Sequence, residues 1–311
     1  MNLKMEISNI LIMGGSGPIG QALAKDLSVK SNIYLFDKKI KKIHKKNIKL
    51  ISGNCFKLND LNKLPKKIDI VFFLIGIKGG PQSNNIKNLD KYIKHNFETL
   101  ILFLNFLKKK SIKKIIFSST EHVYGDNDIS NNKCLNLEPF PKNYYGFSKL
   151  LAEKCLYNFY KKTFVSVDIL RIPRVVYFDD KGIISKIIIN FLTNKNIFLK
   201  KIRAKFNFIF IDDLITAMNI CAVQKNTRFR ILNIFNDSRP VSLLNIAQKI
   251  KNITGKRNII NLANHYSINH NPTRLSVSNR FAKSSLNWRP LFSLEKIIKK
   301  LITHYESKKK I

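Results

Sequence analysis

Apolar positions along the 311-residue chain fall into short continuous runs separated by longer stretches with a helical period. Asn9-Ile10-Leu11-Ile12-Met13 has strand length and no alternation, the pattern of a strand covered on both faces. Asn32 to Phe36 repeats that pattern, and further apolar runs centre on Leu50, Val71, Ile115, Val165 and Ile209. Helical periodicity marks Gln21 to Ser28, Leu89 to Lys109 and Asn143 to Lys161. This alternation predicts βαβ units and a parallel sheet, because parallel neighbours need a crossover. A polar, turn-rich stretch from Asp126 to Pro141 separates the run at Ile115 from the helix that starts near Asn143. In open parallel sheets ligands bind at the carboxyl ends of the strands. Thr120 and Arg171 each follow a predicted strand, so they should face one crevice.

The first strand runs into Gly14-Gly15-Ser16-Gly17-Pro18-Ile19-Gly20. Gly14, Gly17 and Gly20 stand in G-x-x-G-x-x-G spacing, which lets the backbone turn tightly and approach a pyrophosphate at a helix N-terminus. Asp37 ends the second strand, seventeen residues after Gly20. A carboxylate there accepts hydrogen bonds from adenosine ribose hydroxyls and repels a 2′-phosphate, so it favours NAD over NADP. Lys38 and Lys39 weaken that preference without cancelling it.

A second cluster lies between residues 115 and 149: Ser118-Ser119-Thr120, then Val123-Tyr124-Gly125, then Tyr145 and Lys149. Tyr145 and Lys149 are four residues apart, so a helix places them on one face, one turn apart. An ammonium nearby favours the ionised phenol. Bringing a free tyrosine from about 10 to neutrality takes roughly 4 kcal/mol, from the lysine and a bound cationic cofactor together. A base poised in this way removes a proton from an alcohol. In a lysine-rich chain a bare Y-x-x-x-K is usually an exposed helix pair; the glycine loop and Asp37 reverse that balance.

Together these motifs resemble the extended short-chain dehydrogenase/reductase family, in its NAD-dependent sugar epimerase/dehydratase branch, over nearly the whole chain. Gly53-Asn54 with Asp60 resembles the family's adenine-contacting segment, Phe72 to Gly76 its fourth-strand cofactor wall, and His95-Asn96 its helix asparagine. Leu170 to Val175, Phe208 to Leu214, Pro240-Val241-Ser242 and Leu286 to Pro290 also match in order. The resemblance implies an α/β fold: a Rossmann-type doubly wound parallel sheet with a smaller C-terminal substrate-binding lobe. The NAD-binding core would span 1–172, with 208–222 returning to it, and 173–311 would form mainly the lobe.

Carried over, the pattern makes Tyr145 the general base, Lys149 the residue that lowers its pKa and holds the nicotinamide ribose, and Thr120 the hydroxyl that orients the alcohol. Gly14, Gly17, Pro18, Ile19, Gly20, Asp37, Asn54, Leu74, Gly76, Asn96 and Ser118 join Tyr145 and Lys149 around NAD. Thr120, Glu121, His122, Arg174, Arg203 and Arg274 would meet a nucleotide-diphosphate sugar. The implied activity is a UDP-glucose or UDP-GlcNAc 4-epimerase-like reaction by transient oxidation at sugar C4. An NAD(P)-dependent sugar reductase or dehydrogenase would use the same three residues. Relatives that eliminate water resemble Thr-Asp-Glu before Val-Tyr-Gly; here the residues are Thr120, Glu121 and His122, which disfavours a 4,6-dehydratase. Phe206-Asn207 stands where many relatives have Arg-Asp, with Arg203 and Lys205 close by. Arg174 stands in place of an asparagine, and Pro272-Thr273-Arg274 in place of Gly-Asp.

Charge changes the picture less than its size suggests. The chain carries 56 Lys and Arg against 20 Asp and Glu, a formal +36. That excess raises a rival of another class, an RNA-binding descendant of the fold. The lysines are scattered through every helix and no aromatic–basic motif interrupts them, while Lys, Asn, Ile and Phe are all abundant, as in an AT-rich genome. No specific nucleic-acid partner is therefore expected. Cys55, Cys134, Cys155 and Cys221 show neither C-x-x-C spacing nor a histidine pattern, so neither a metal site nor a disulfide framework is predicted. No signal-peptide pattern or membrane-length apolar run is present, and the expectation is a cytoplasmic protein without a membrane partner. The family also implies a homodimer through the helices Leu89 to Lys109 and Asn143 to Lys161.

Overall fold

The computed structural model describes residues 8–40, 43, 45–108, 110–125, 138–199, 205–225, 228–257, 259–262 and 277–309. Its first half alternates as the sequence predicts. β1 (Asn9–Met13), α1 (Pro18–Leu27), β2 (Asn32–Asp37), β3 (Ile48–Ser52) and the one-turn α2 (Leu58–Leu61) are followed by β4 (Ile70–Phe73). Then come α3 (Leu89–Ile93), α4 (Thr99–Leu107), β5 (Lys114–Thr120), α5 (Tyr144–Thr163) and β6 (Ser166–Ile172). α1 begins at Pro18, three residues ahead of the expected start, because proline suits a first turn in which no amide donor is needed.

The second half contributes β7 (Arg174–Val176), α6 (Ile183–Leu192), β8 (Ile197–Leu199), β9 (Lys205–Phe206), β10 (Phe208–Phe210) and α7 (Ile211–Val223). β11 (Phe229–Asn233), β12 (Val241–Ser242), α8 (Leu243–Thr254), β13 (Ile260–Leu262), α9 (Arg280–Leu286) and α10 (Leu294–Lys309) complete the described elements.

Seven of the described strands form one parallel sheet, in the order β11-β6-β5-β4-β1-β2-β3. Alternate residues of β1 serve opposite faces: Ile10 and Ile12 join one core with α1 and α7, and Leu11 and Met13 join another with α4 and α5. Each fully buried side chain of this kind contributes about 2 kcal/mol. Two covered faces make the sheet doubly wound. β11 is an element that a core of 1–172 with a 208–222 return leaves out. Arg230 on β11 holds it there, reaching both carboxylate oxygens of the fully buried Asp168 on β6 at 2.6 Å. Three two-stranded pairs, β10-β7, β12-β9 and β13-β8, lie outside this sheet.

Two of the sequence motifs meet in space. Asp213 on α7 accepts from the backbone amides of Leu291 and Phe292 at 2.8 and 3.1 Å, and its carbonyl accepts from the Trp288 indole at 3.1 Å. The 208–214 segment thereby ties the 286–290 segment onto the fold. No helix among the described residues is long and apolar enough to cross a membrane.

Candidate active site

The glycine loop leaves β1 and turns at Gly14, whose φ of +84° suits glycine. A Cβ on Gly20 would lie 2.8 Å from the Gly14 carbonyl and from Gly15 Cα, so the start of α1 packs against bare backbone. The amides of Gly14 and Gly15 donate to the Phe36 carbonyl, and Ser16 donates its amide to Asp37 Oδ2 at 3.0 Å. The loop and the second strand's acid therefore form one unit.

A cavity of about 250 Å³ opens beside them, and Gly14, Gly17, Asp37, Asn54, Leu74 and Gly76 line it, six of the cofactor residues expected from the sequence. Pro18 and Ile19 form the first turn of α1, with Ile19 packed on the core and Gly20 beneath. Phe56 and Thr99 also line the cavity, though no sequence motif marks them. Lys38 and Lys94 sit 5.5 and 5.6 Å from the Phe56 ring, and His95 meets it edge-on. Burial, with Lys38 and Lys94 nearby, holds His95 below its ordinary pKa. A cradle with no room for a Cβ at Gly20, an acid at its mouth and an apolar wall suit the adenosine half of a dinucleotide.

Asn96 does not point a free amide at that cavity. A π-helical turn over Lys94–Glu98 buries it. Its Oδ1 accepts from the Ile77 amide at 2.7 Å, and its Nδ2 donates to Ser148 Oγ at 3.0 Å. Asn96 thus clamps the segment after β4 to α5. Asp60 likewise accepts the Asn54 amide at 2.8 Å and so shapes the turn.

At the carboxyl end of β5 the second cluster comes together. Asn143 caps α5, its Oδ1 accepting the Gly146 amide at 2.8 Å. That cap fixes the other end of the amide as a donor, 3.0 Å from His122 Nδ1, so Nδ1 accepts and the ring proton resides on Nε2. In the first turn of α5, Tyr145 faces the Thr120 side chain closely enough that Thr120 favours the ionised phenol. His122 and Tyr92 pack against the Tyr145 ring at 5.3 and 5.9 Å between centroids. Gly79 lies so close that a Cβ there would be 2.5 Å from Tyr145 Cδ1. Glu121, itself buried, accepts from Asn207 Nδ2 at 2.9 Å.

Lys149 donates to the Ser118 carbonyl at 2.9 Å and lies 4.8 Å from the Phe117 ring. Burial pushes the Tyr145 phenol up to about 12 and the Lys149 ammonium down to about 8. Burial is the largest influence on the phenol, Thr120 offsets it in part, and Lys149 Nζ is engaged by the Ser118 carbonyl. Arg174 on β7 is exposed and stacks 5.3 Å from the Phe206 ring. Arg203 and Arg274 lie outside the described residues. Asn143 carries a readable sequence signal, an N-cap residue before a periodic stretch. Gly79 and Tyr92 carry none.

A parallel sheet with a glycine-cradled cavity and a Tyr–Thr–Lys group at its strand ends defines a Rossmann-type, dinucleotide-binding protein. The profile of the NAD dependent epimerase/dehydratase family matches residues 10–235, and the chain belongs to that family. NAD is the family's cofactor, and the cavity suits its adenosine half. The chain is 31% identical over 286 residues to a dTDP-D-glucose 4,6-dehydratase of Dictyostelium discoideum, covering 80% of this chain; it spans 62% of that relative's length. It is 23% identical to a UDP-glucuronate 4-epimerase of Thermodesulfobacterium geofontis (strain OPF15), covering 70% of this chain and 67% of that protein. A similar fold is seen in the Bacillus cereus UDP-glucuronic acid 4-epimerase in complex with UDP-glucuronic acid and NAD. Its TM-score is 0.83 at 22% identity, with 96% of this chain and 99% of that one covered.

Proposed function

We propose that the chain is an NAD-dependent nucleotide-sugar epimerase that works by transient oxidation at sugar C4. The observation that carries this reading is the Tyr145 phenol, facing the Thr120 side chain at the end of β5, with Lys149 one helical turn further on. In this role Tyr145 takes the proton of the C4 hydroxyl at its phenolic oxygen, and Thr120 orients that hydroxyl. Lys149 holds the nicotinamide ribose and keeps a positive charge beneath the site. Gly14, Gly17 and Gly20 cradle the pyrophosphate, Asp37 takes the adenosine ribose, and Asn54, Leu74 and Gly76 wall the cavity. Bound NAD supplies a hydride acceptor that returns the hydride within one turnover, so none is consumed. The loop carrying Gly79 packs against the Tyr145 ring.

On the substrate side, Glu121 and His122 would meet the sugar, and Arg174, Arg203 and Arg274 the diphosphate. Arg174 stacked on Phe206 supports a guanidinium supplied from β7 where relatives have an arginine at position 206. The strands and helices through residue 172, with 208–222 and β11, would form the NAD-binding core, and most of 173–311 the lobe over the sugar. Exposed Leu102 on α4 and Phe147 and Tyr157 on α5 support a homodimer through these helices. Free Cys55, Cys155 and Cys221 accord with a cytoplasmic setting.

The test is to incubate purified protein, without added NAD, with UDP-, dTDP- and GDP-sugars and follow the anomeric protons by NMR. A C4 epimer formed by wild type and not by Tyr145→Phe supports the reading. Product only when NAD(H) is consumed stoichiometrically, or a dehydrated keto-sugar, would replace it with a reductase or a dehydratase.

A further inference from the structure

On α5, Tyr145, Lys149 and Glu153 follow one another at four-residue steps, and the proposed reaction uses only the first two. Glu153 is 3% exposed, a place where an unpaired carboxylate would be costly. It is not unpaired. Arg171 on β6 reaches it twice, Nε to Oε1 at 3.1 Å and Nη2 to Oε2 at 2.6 Å, and the Ser119 hydroxyl also donates to Oε1. Ser119 is the register partner of Arg171 across β5 and β6. Its two chain neighbours are the residues that engage the reacting pair. The Ser118 carbonyl receives Lys149 Nζ, and the Thr120 side chain lies where it favours ionisation of Tyr145.

Among the described residues, the Phe117 ring 4.8 Å from Nζ and Gly76, whose Cβ position lies 3.3 Å from Nζ, bring no negative charge to Lys149. Glu121 and Tyr92 bear on Tyr145, and the Arg171 guanidinium stacks 4.7 Å from the Tyr124 ring, whose hydroxyl donates to Asn233 Oδ1 at 2.7 Å. Glu153 is the charged group that opposes the effect of burial on the Lys149 ammonium.

We propose that Glu153 is a positioning residue for the reaction: clamped by Arg171 and Ser119, it keeps Lys149 protonated and fixes the end of β5 that presents Thr120. This rests on the reading that Lys149 acts in catalysis. Because a bidentate clamp and a serine hydroxyl hold Glu153 from a neighbouring strand, its charge is fixed in place before any ligand arrives.

The test uses the cofactor-free full chain and Glu153→Gln. Competitive acetylation with trace acetic anhydride across pH, read by peptide mass spectrometry, gives the titration midpoint of Lys149. That midpoint should fall by about one pH unit or more, the scale expected for loss of a nearby opposite charge. The high-pH limb of kcat should fall with it, KM for the sugar should change less than about twofold, and Glu153→Asp should recover part of both. Should Arg171 without its partner prevent folding, the double variant Glu153→Leu/Arg171→Met removes both charges and keeps the volume filled, and a smaller fall in the same direction is expected because the guanidinium leaves with the carboxylate. A midpoint unmoved in the folded variants, with kcat reduced equally at every pH, overturns the proposal. A midpoint that falls without any change in the rate profile supports the counter-charge and instead refutes the catalytic reading of Lys149.

Discussion

Asn207→Asp would place a second carboxylate where an amide donor now meets Glu121 Oε2 at 2.9 Å, with both residues 7% exposed. At an effective dielectric of 20, two unit charges at that separation repel by about 6 kcal/mol. The pair escapes by binding one proton, at a cost of about 1.4 kcal/mol for each pH unit above the ordinary carboxyl value near 4. Destabilisation should therefore be about 1 kcal/mol at pH 5 and about 5 kcal/mol at pH 8. The sign follows from proton counting: the shared carboxyl pKa is raised in the folded variant, so that form holds the extra proton. Its stability is lost as pH rises from the unfolded value through the folded one. Thermal unfolding of wild type and variant at the two pH values should show the deficit widening by about 4 kcal/mol, or roughly 8 °C in Tm. Adding Glu121→Gln removes one charge and should close that gap. Equal destabilisation at both pH values, or a gap that Glu121→Gln leaves open, would refute the opposition of these two side chains.

Three further perturbations probe the site. Subtracting tyrosinate ultraviolet titrations of Tyr145→Phe from those of the cofactor-free wild type should leave no ionisation below about pH 10, since burial raises the phenol; a difference growing near neutrality contradicts this. Gly79→Ala puts a methyl 2.5 Å from Tyr145 Cδ1, so ring or loop must retreat by about 1 Å, and kcat should drop by about 100-fold with little loss of Tm. Unchanged turnover would mean that the loop stands clear of the phenol in solution. Gly20→Ala meets the Gly14 carbonyl and Gly15 Cα at 2.8 Å, and calorimetric affinity for NAD should weaken by more than about tenfold; wild-type affinity would remove the loop from the cofactor cradle.

What the sequence discloses is whatever depends on local spacing. β1 and β2 are uninterrupted apolar runs, the three glycines and Asp37 follow at fixed offsets, and Tyr145 and Lys149 sit one turn apart on a capped helix. β11 escapes because Arg230 breaks its apolar pattern, and a charge whose partner Asp168 lies sixty-two residues away looks in sequence like a solvent-facing position. The surroundings of the phenol escape for a similar reason. Gly79, Tyr92 and His122 reach the Tyr145 ring from three separate segments, and Asn207 reaches Glu121 from a fourth, so no window along the chain contains them together.

That assembly decides the protonation of the site. One cause, loss of water, moves the two reacting groups in opposite directions, the phenol up to about 12 and the ammonium down to about 8. At pH 7 the lysine is therefore charged by about ten to one and the phenol is neutral. Burial thus opposes a phenolate–ammonium pair on both sides. Thr120 favours the phenolate without outweighing burial, and Glu153 protects only the lysine. A positive charge brought beside Tyr145 would lower the phenol further. In a low-dielectric site the same incoming charge acts more strongly than it would in water. The burial that holds the resting phenol neutral thus also makes its later ionisation responsive to what binds.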